Sequence, residues 1–301
     1  MAPVTILDVN WTGRPRSVAA ALLESNGNYA LIDPGPASTV DNLLTQLRAH
    51  GLSVANLESI LLTHIHLDHA GATGALVREN PHLRIYVHQI GAVHLADPSR
   101  LLASAGRLWG DELPRLFGDT LPVPEQNIHA LEGSETILIG GKKLDVLYTP
   151  GHASHHVTYF DTQEDIAFAG DTTGICIENG PYIMPATPPP DIDLSLWNAS
   201  FDAILSRRPA KLFLTHFGFS ENPPEHIADF RKRLHEWSSI TEEILKSNQP
   251  EAASLESFLA QTRAEMTRHL SAAEVDQYAF TAGLPLSFQG LSRHIRKRAA
   301  S

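Results

Sequence analysis

Cysteine is nearly missing from this chain, with Cys176 the one thiol among 301 residues. No intrachain disulfide can form, so the fold must rest on its apolar core, and the composition suits a reducing compartment. The same shortage excludes thiolate zinc sites and iron–sulfur clusters, leaving nitrogen and oxygen ligands for any metal. An excess of positive charge is missing too: 34 acidic residues face 23 basic ones, for a net charge of −11. Neither nucleic acid nor an anionic membrane is therefore expected as the main partner. The basic run Arg293, Arg296, Lys297 and Arg298 reads as a solvated tail. No apolar run approaches membrane-spanning length, and Met1 to Asp8 lacks the basic and apolar regions of a secretory signal. A cytoplasmic location is expected.

What the chain does have is a first half of short β-rich runs and a last quarter of helical stripes. Val4 to Val9, Ser17 to Leu23 and Tyr29 to Ile32 read as strands, with Asn26-Gly27-Asn28 as a hairpin turn. Asp33-Pro34-Gly35-Pro36 stops the third strand. A helix is expected over Thr39 to His50, a strand over Ser59 to Thr63, and a helix through Ala75 to Glu79. Gly91 to His129 is irregular, and reads as a cover over the substrate or as packing on the sheet. Further strands are expected at Thr136 to Ile139, Leu144 to Tyr148, Val157 to Phe160, Ile166 to Ala169 and Lys211 to Thr215. A helix near Leu194 to Ser206 precedes the last of these. Beyond residue 220 the spacing of Ile227, Phe230, Leu234, Trp237, Ile240 and Ile244 gives one amphipathic helix. Leu255 to Leu270 suggests a second, and Ser271-Ala272-Ala273-Glu274 opens a third with a capping box. The domain expectation is residues 1–220 for the α/β part and 221–301 for a helical extension packed on it. That extension also offers a face for a homo-oligomer contact.

Chemistry concentrates in Thr63-His64-Ile65-His66-Leu67-Asp68-His69, three imidazoles and a carboxylate within six residues. Imidazole nitrogen and carboxylate oxygen suit zinc, iron or manganese, whereas a solvated turn has no need of such crowding. Single ligand-type residues then follow three later strands: His152, Asp171 and His216. Each alone would be an ordinary polar cap. Their order behind the H-x-H-x-D-H cluster is what carries weight.

With these residues the chain resembles the metallo-β-lactamase fold superfamily, over roughly Val4 to Phe219. The resemblance implies an α/β fold, a four-layer αββα sandwich of two mixed sheets, here with a C-terminal helical extension. It implies two divalent metal ions, zinc first, with iron or manganese as options. His64, His66 and His152 would hold one, Asp68, His69 and His216 the other, and Asp171 would bridge them. Asp33 would be the acid behind the ligands that orients them. The activity implied is a dinuclear hydrolase that opens a carboxylic ester, lactone or thioester with a metal-bridging hydroxide, so no Ser or Cys nucleophile is needed. Asp68 is the candidate for carrying a proton to the leaving group.

Asp171 narrows the choice within the superfamily. The resemblance is to its hydroxyacylglutathione hydrolase and lactonase-like branch, since the true β-lactamases lack that bridging Asp. Quorum-sensing lactonases carry a Tyr three residues after it; this chain has Gly174, so a carbonyl donor must come from elsewhere, with Tyr182 the candidate. Arg231-Lys232-Arg233 is a basic strip that a glutathione-binding reading would need, although a solvated helix face explains it equally. Trp109 and Phe117 are the other candidates for a substrate pocket, which the loops 101–126 and 179–191 would build around a small molecule. Two alternatives stand beside the acyl hydrolase: a mononuclear iron persulfide dioxygenase, and a phosphoester or phosphotriester hydrolase. His155 and His156 read as neighbours of the ligands, and Cys176 as packing.

Overall fold

The computed structural model describes residues 4–177 and 180–299. Chain order builds the first sheet. Strands β1 (Thr5–Asp8), β2 (Ala19–Ser25) and β3 (Asn28–Ile32) form an antiparallel meander. Helix α1 (Val40–Ala49) crosses to β4 (Leu57–Leu61); α2 (Leu67–Ala70) and α3 (Thr73–Glu79) lead to β5 (Arg84–His88). Helices α4 (Gln89–Ala96), α5 (Ser99–Trp109) and α6 (Leu113–Phe117) then lead to β6 (Ile128–Leu131). Strands β3 to β6 pair in parallel, as strands joined through helices must. The expected hairpin turn is present: Ser25 pairs with Asn28, and Asn26 and Gly27 have φ of 51° and 77°, the left-handed values such a two-residue turn requires.

The second sheet contains β7 (Thr136–Ile139), β8 (Lys142–Tyr148), β9 (Val157–Asp161) and β10 (Ile166–Phe168). Helix α7 (Leu194–Ser206) precedes β11 (Lys211–Leu214) and β12 (Gly218–Ser220), and the strand order is β12-β11-β10-β9-β8-β7. Four helices follow: α8 (Pro223–Lys246), α9 (Glu251–Met266), α10 (Ala272–Ala282) and α11 (Leu284–Ala299). Three had been expected. The fourth absorbs the basic C-terminal residues into its last turn, where Arg298 stands 3.6 Å from Glu242. Gly91 to His129, expected to be irregular, is mostly helical, and its last two residues begin β6.

Alternation of side chains sets the layers. Along β2, Ala19, Ala21 and Leu23 face the second sheet, meeting Leu144, Val146, Tyr159 and Phe168. Ala20 and Leu22 point the other way, into a core with Leu43 and Leu47 of α1 and Leu76 of α3. The outer face of the second sheet shares a third core with α7 and the C-terminal helices, through Trp197, Phe201, Phe230, Trp237, Phe258 and Phe288. The result is the αββα sandwich with two mixed sheets. Ile227, Phe230, Leu234 and Trp237 of the amphipathic stripe are buried in that third core. No helix among the described residues is long and apolar enough to cross a membrane.

Candidate metal centre

Five strands run in the same sense to one edge of the sandwich, and each is followed there by a polar residue. Asp33 follows β3, and His64 follows β4 after two more residues. His152, Asp171 and His216 come after β8, β10 and β11. Backbone hydrogen bonds tie the two sheets together at this edge: Val157 N donates to Thr63 O, and Ala19 N to Thr215 O, both at 2.8 Å. Residues 88 to 183 positions apart from Asp33 or His64 are thus held on a rigid frame rather than on free loops.

The ligand atoms converge in two groups. His64 Nε2 lies 2.9 Å from His66 Nδ1, which lies 3.0 Å from His152 Nε2. Around a cation with metal–nitrogen bonds of about 2.0–2.1 Å, tetrahedral ligands stand roughly 3.3 Å apart, so this trio is already near coordination spacing. In the second group His216 Nε2 is 3.4 Å and His69 Nε2 3.9 Å from Asp68 Oδ2. Asp171 stands between them. Its Oδ1 faces His69 Nε2 at 3.2 Å and His216 Nε2 at 3.5 Å, while its Oδ2 faces His152 Nε2 at 3.5 Å.

The far nitrogens are fixed from behind. His152 Nδ1 bonds Ala186 O at 2.8 Å and His216 Nδ1 bonds Ser17 O at 2.6 Å, which leaves both Nε2 atoms aimed at the centre. Asp33 is fully buried and collects four hydrogen bonds. Thr63 N donates to Oδ1, while Thr63 Oγ1, Thr215 Oγ1 and His69 Nδ1 all donate to Oδ2, at 2.7 to 2.8 Å. It touches none of the converging atoms, and its effect is to aim His69.

Two observations test whether these groups fit metal. His69 Nε2 and Asp171 Oδ1 are buried and lie 3.2 Å apart, yet neither meets a partner in hydrogen-bond geometry, and a buried polar atom left unbonded is costly. Electrostatics agrees. Burial and the His69 and His66 rings push His64 well below the ordinary histidine value, and burial beside His152 takes His66 to about 4. These are neutral imidazoles with lone pairs available. At the other group, burial opposes charge on His69, but Asp171, Asp33 and Asp68 outweigh it and raise the ring well above its usual value. His216 is raised against its burial by Asp171 and Asp68. Burial likewise favours neutral carboxyls, yet His69 and its neighbours hold Asp68 at about 2 and Asp171 well below the carboxylate range. Carboxylates packed this closely call for positive charge, and a divalent cation satisfies them where a proton otherwise would.

A cavity of about 420 Å³ lies against the cluster, with His66, Asp68, Asp171 and His216 in its wall. Trp109 and Phe117 both line it, their rings 5.5 Å apart, as does Trp11. Tyr182 does not. It is fully buried among the C-terminal helices, its hydroxyl donates to Glu265, and Arg233 lies 4.0 Å over its ring. The expectation that Tyr182 assists the substrate is thus corrected: α8 and α9 turn that hydroxyl away from the cavity. Of the loop 179–191, Asn179 lies outside the described residues, while Ala186, Pro188, Pro189, Pro190 and Asp191 reach the cavity wall. Gly174 has a φ of 78°, and a Cβ there would meet Phe230 Cε2 at 2.5 Å, so α8 occupies the space a side chain would need.

Other cavity residues were not expected from sequence. His155 lines the cavity, and its Nδ1 accepts from Ile65 N at 3.4 Å. Arg100, His94 and Ser154 join it. Their only sequence signal was nearness to an expected loop or ligand. His156 is buried between the hydroxyls of Thr149 and Thr172. Cys176 packs in the third core, where burial pushes its thiol up to about 11.

A family model described as the metallo-beta-lactamase superfamily matches residues 13–216, about two thirds of the chain and all seven ligand-type residues. The chain belongs to the metallo-beta-lactamase superfamily. Hydroxyacylglutathione hydrolases recur among this member's relatives. It is 30% identical over 151 residues to the hydroxyacylglutathione hydrolase of Aeromonas salmonicida, covering 50% of this chain and 44% of that one. It is 33% identical over 157 residues to the probable metallo-hydrolase YqgX of Bacillus subtilis, covering 52% and 66%. The metallo-beta-lactamase fold-containing protein ST1585 of Sulfurisphaera tokodaii is 29% identical over 165 residues, covering 54% and 61%. The chain thus spans about half to two thirds of the length of these curated relatives. Among solved structures, the family protein TTHA1429 from Thermus thermophilus superposes with a TM-score of 0.67 at 22% identity, over 94% of this chain and 89% of that one. This superfamily fold, together with the His/Asp set, makes the centre a divalent-metal site.

Proposed function

We propose that this chain is a dinuclear metal-dependent hydrolase that cleaves a carboxylic ester, lactone or thioester. The observation that carries the reading is Asp171, whose two oxygens face different ligand groups: Oδ1 toward His69 and His216, Oδ2 toward His152. A carboxylate so placed suits two cations, and Asp68, His69 and His216 form a second group of converging ligand-type atoms beside the His64, His66 and His152 group. His64, His66 and His152 would hold one ion and Asp68, His69 and His216 the other. Bound there, divalent cations lower the pKa of a water toward neutrality and polarise a carbonyl oxygen.

The residues of the chain do the rest. Asp33, Ser17 O and Ala186 O hold ring nitrogens so that three imidazoles present Nε2 inward. Asp68 lines the cavity with 19% of its side chain exposed, whereas Asp171, the other carboxylate of the centre, is buried. A carboxylate at that boundary can take a proton from the site and hand it to the departing oxygen or sulfur. Zinc is the favoured ion for this nitrogen and oxygen set, with iron or manganese depending on supply. We infer a small-molecule substrate held in the cavity beside Asp68.

The test is metal quantitation on anaerobically purified protein, joined to a screen of esters, lactones, thioesters, phosphoesters and glutathione persulfide with oxygen consumption followed. Two equivalents of metal with acyl hydrolysis and no oxygen uptake is the expected result. One equivalent of iron with oxygen consumed on a persulfide would overturn it in favour of a dioxygenase.

A further inference from the structure

Apolar side chains make up most of the cavity wall, and outside the ligand cluster its polar members include His94, Arg100, Ser154, His155 and Asp191. Facing the ligand cluster, α5 contributes Leu101, Ala105, Leu108 and Trp109, and the C-terminal helices contribute Ala282 and Leu286. Arg100 is the one Lys or Arg among the described lining residues, and it lies exposed on α5 near Asp97. The basic strip on α8 is engaged elsewhere. Arg231 pairs with Asp202 at 2.5 Å, Lys232 stands 3.9 Å from Glu236, and Arg233 binds Glu265 and Ile183 O. None of the three lines the cavity.

We propose that the substrate is an acyl compound whose body beyond the scissile carbonyl is uncharged and apolar, and that it is not a glutathione conjugate. This rests on the hydrolase reading above. A glutathione thioester carries two carboxylates, and this wall offers one exposed guanidinium to receive them. A carboxylate desolvated without a partner is strongly disfavoured. An alkyl or aryl body has no such penalty, and each methylene it buries strengthens binding roughly fourfold. At about 420 Å³ the space falls within the range of small-molecule pockets, with room for such a body beside the reacting carbonyl. The wall also explains a use for the C-terminal extension, since α10 contributes Thr281 and Ala282 to it and α11 contributes Leu286.

The experiment uses the full chain loaded with metal. Hydrolysis of p-nitrophenyl acetate and p-nitrophenyl hexanoate, which share a leaving group, is compared with that of S-lactoylglutathione. The expected result is a kcat/KM at least tenfold higher for hexanoate than for acetate, with S-lactoylglutathione the poorest. Equal rates on the two esters, or S-lactoylglutathione as the best substrate, would overturn the proposal. Leu108→Asp, at a half-buried helix position, is expected to lower the hexanoate-to-acetate ratio at least fivefold; an unchanged ratio counts against it. Binding is read separately through the fluorescence of Trp11 and Trp109, with 2-octanone and glutathione as probes. Saturable quenching by the ketone alone supports the apolar site even if no ester is hydrolysed, in which case only the hydrolase reading falls. Quenching by glutathione and not by the ketone overturns it.

Discussion

Replacing Asp33 with Asn changes one atom type at constant size, and the structure makes both orientations of the new amide unfavourable. Oδ1 accepts from Thr63 N, a backbone donor that cannot reverse its role. Oδ2 accepts from two hydroxyls and His69 Nδ1. With the amide nitrogen toward Thr63, two donors face each other and a buried N–H goes unmade, at a cost of about 1–3 kcal/mol. With the nitrogen on the other side, the hydroxyls can rotate, but His69 Nδ1 must become an acceptor. Its proton then moves to Nε2, the atom that faces Asp171 and Asp68 and must be bare to hold a cation. Loss of such an orienting partner typically weakens metal affinity 10–100-fold, or about 1.4–2.7 kcal/mol. The assay is stepwise competition of the metal-free protein against a chromophoric chelator, paired with thermal unfolding. The group containing His69 is expected to weaken the more, with Tm down by about 2–6 °C. Two affinities within twofold of wild type at an unchanged Tm would refute the orienting role of Asp33.

Asp68→Asn is expected to lower kcat by about 10²–10⁴-fold on whichever acyl substrate the screen yields; full turnover with both metals still bound ends the proton-carrying role. Gly174→Ala places a Cβ 2.5 Å from Phe230 Cε2 on a backbone at φ 78°. Combining left-handed strain with overpacking predicts a loss of about 2–5 kcal/mol in denaturant unfolding, and a loss under 0.5 kcal/mol contradicts the contact. His226 supplies a pH effect: burial, opposed by its hydrogen bond to Thr173 O, takes it from 6.5 to about 4. Between these values the unfolded chain binds a proton that the folded chain refuses, so stability falls as pH drops from 6.5 toward 4. The loss reaches about 2 kcal/mol by pH 5. His226→Gln should therefore show a smaller drop in stability from pH 7.5 to pH 5 than wild type, and an equal drop removes His226 as a cause.

The last two changes probe one feature of the molecule. The turn Gly170–Thr173 presents Asp171, and its backbone is gripped from outside the sandwich's ligand edge. Trp197 of α7 donates from Nε1 to Thr172 O at 2.7 Å, His226 of α8 bonds Thr173 O at 2.8 Å, and Phe230 fills the space over Gly174. Tyr278 of α10 extends the grip, donating to Tyr182 O and accepting from Ile177 N. The helices beyond residue 220 thus contribute to the position of Asp171 as well as to the cavity wall.

Sequence alone determined the kind of chemistry. With one cysteine, any metal had to be held by imidazole and carboxylate, and the crowding at His64, His66, Asp68 and His69 is a local signal that needs no fold to be seen. The strands ending before His152, Asp171 and His216 were legible for a similar reason, because apolar runs and their stops are short-range patterns. Short elements escaped: β5 and β6 were not expected, and α4 to α6 looked irregular, since their burial comes from partners far along the chain. Only the tertiary structure decided which oxygen of Asp171 faces which histidines, because that depends on the docking of two sheets at one edge. It alone turned Tyr182 toward Glu265, paired the basic strip of α8 away from the cavity, and brought α5, α10 and α11 together as an apolar wall. A pocket is made of side chains distant in sequence, and its character follows from packing that no single segment encodes.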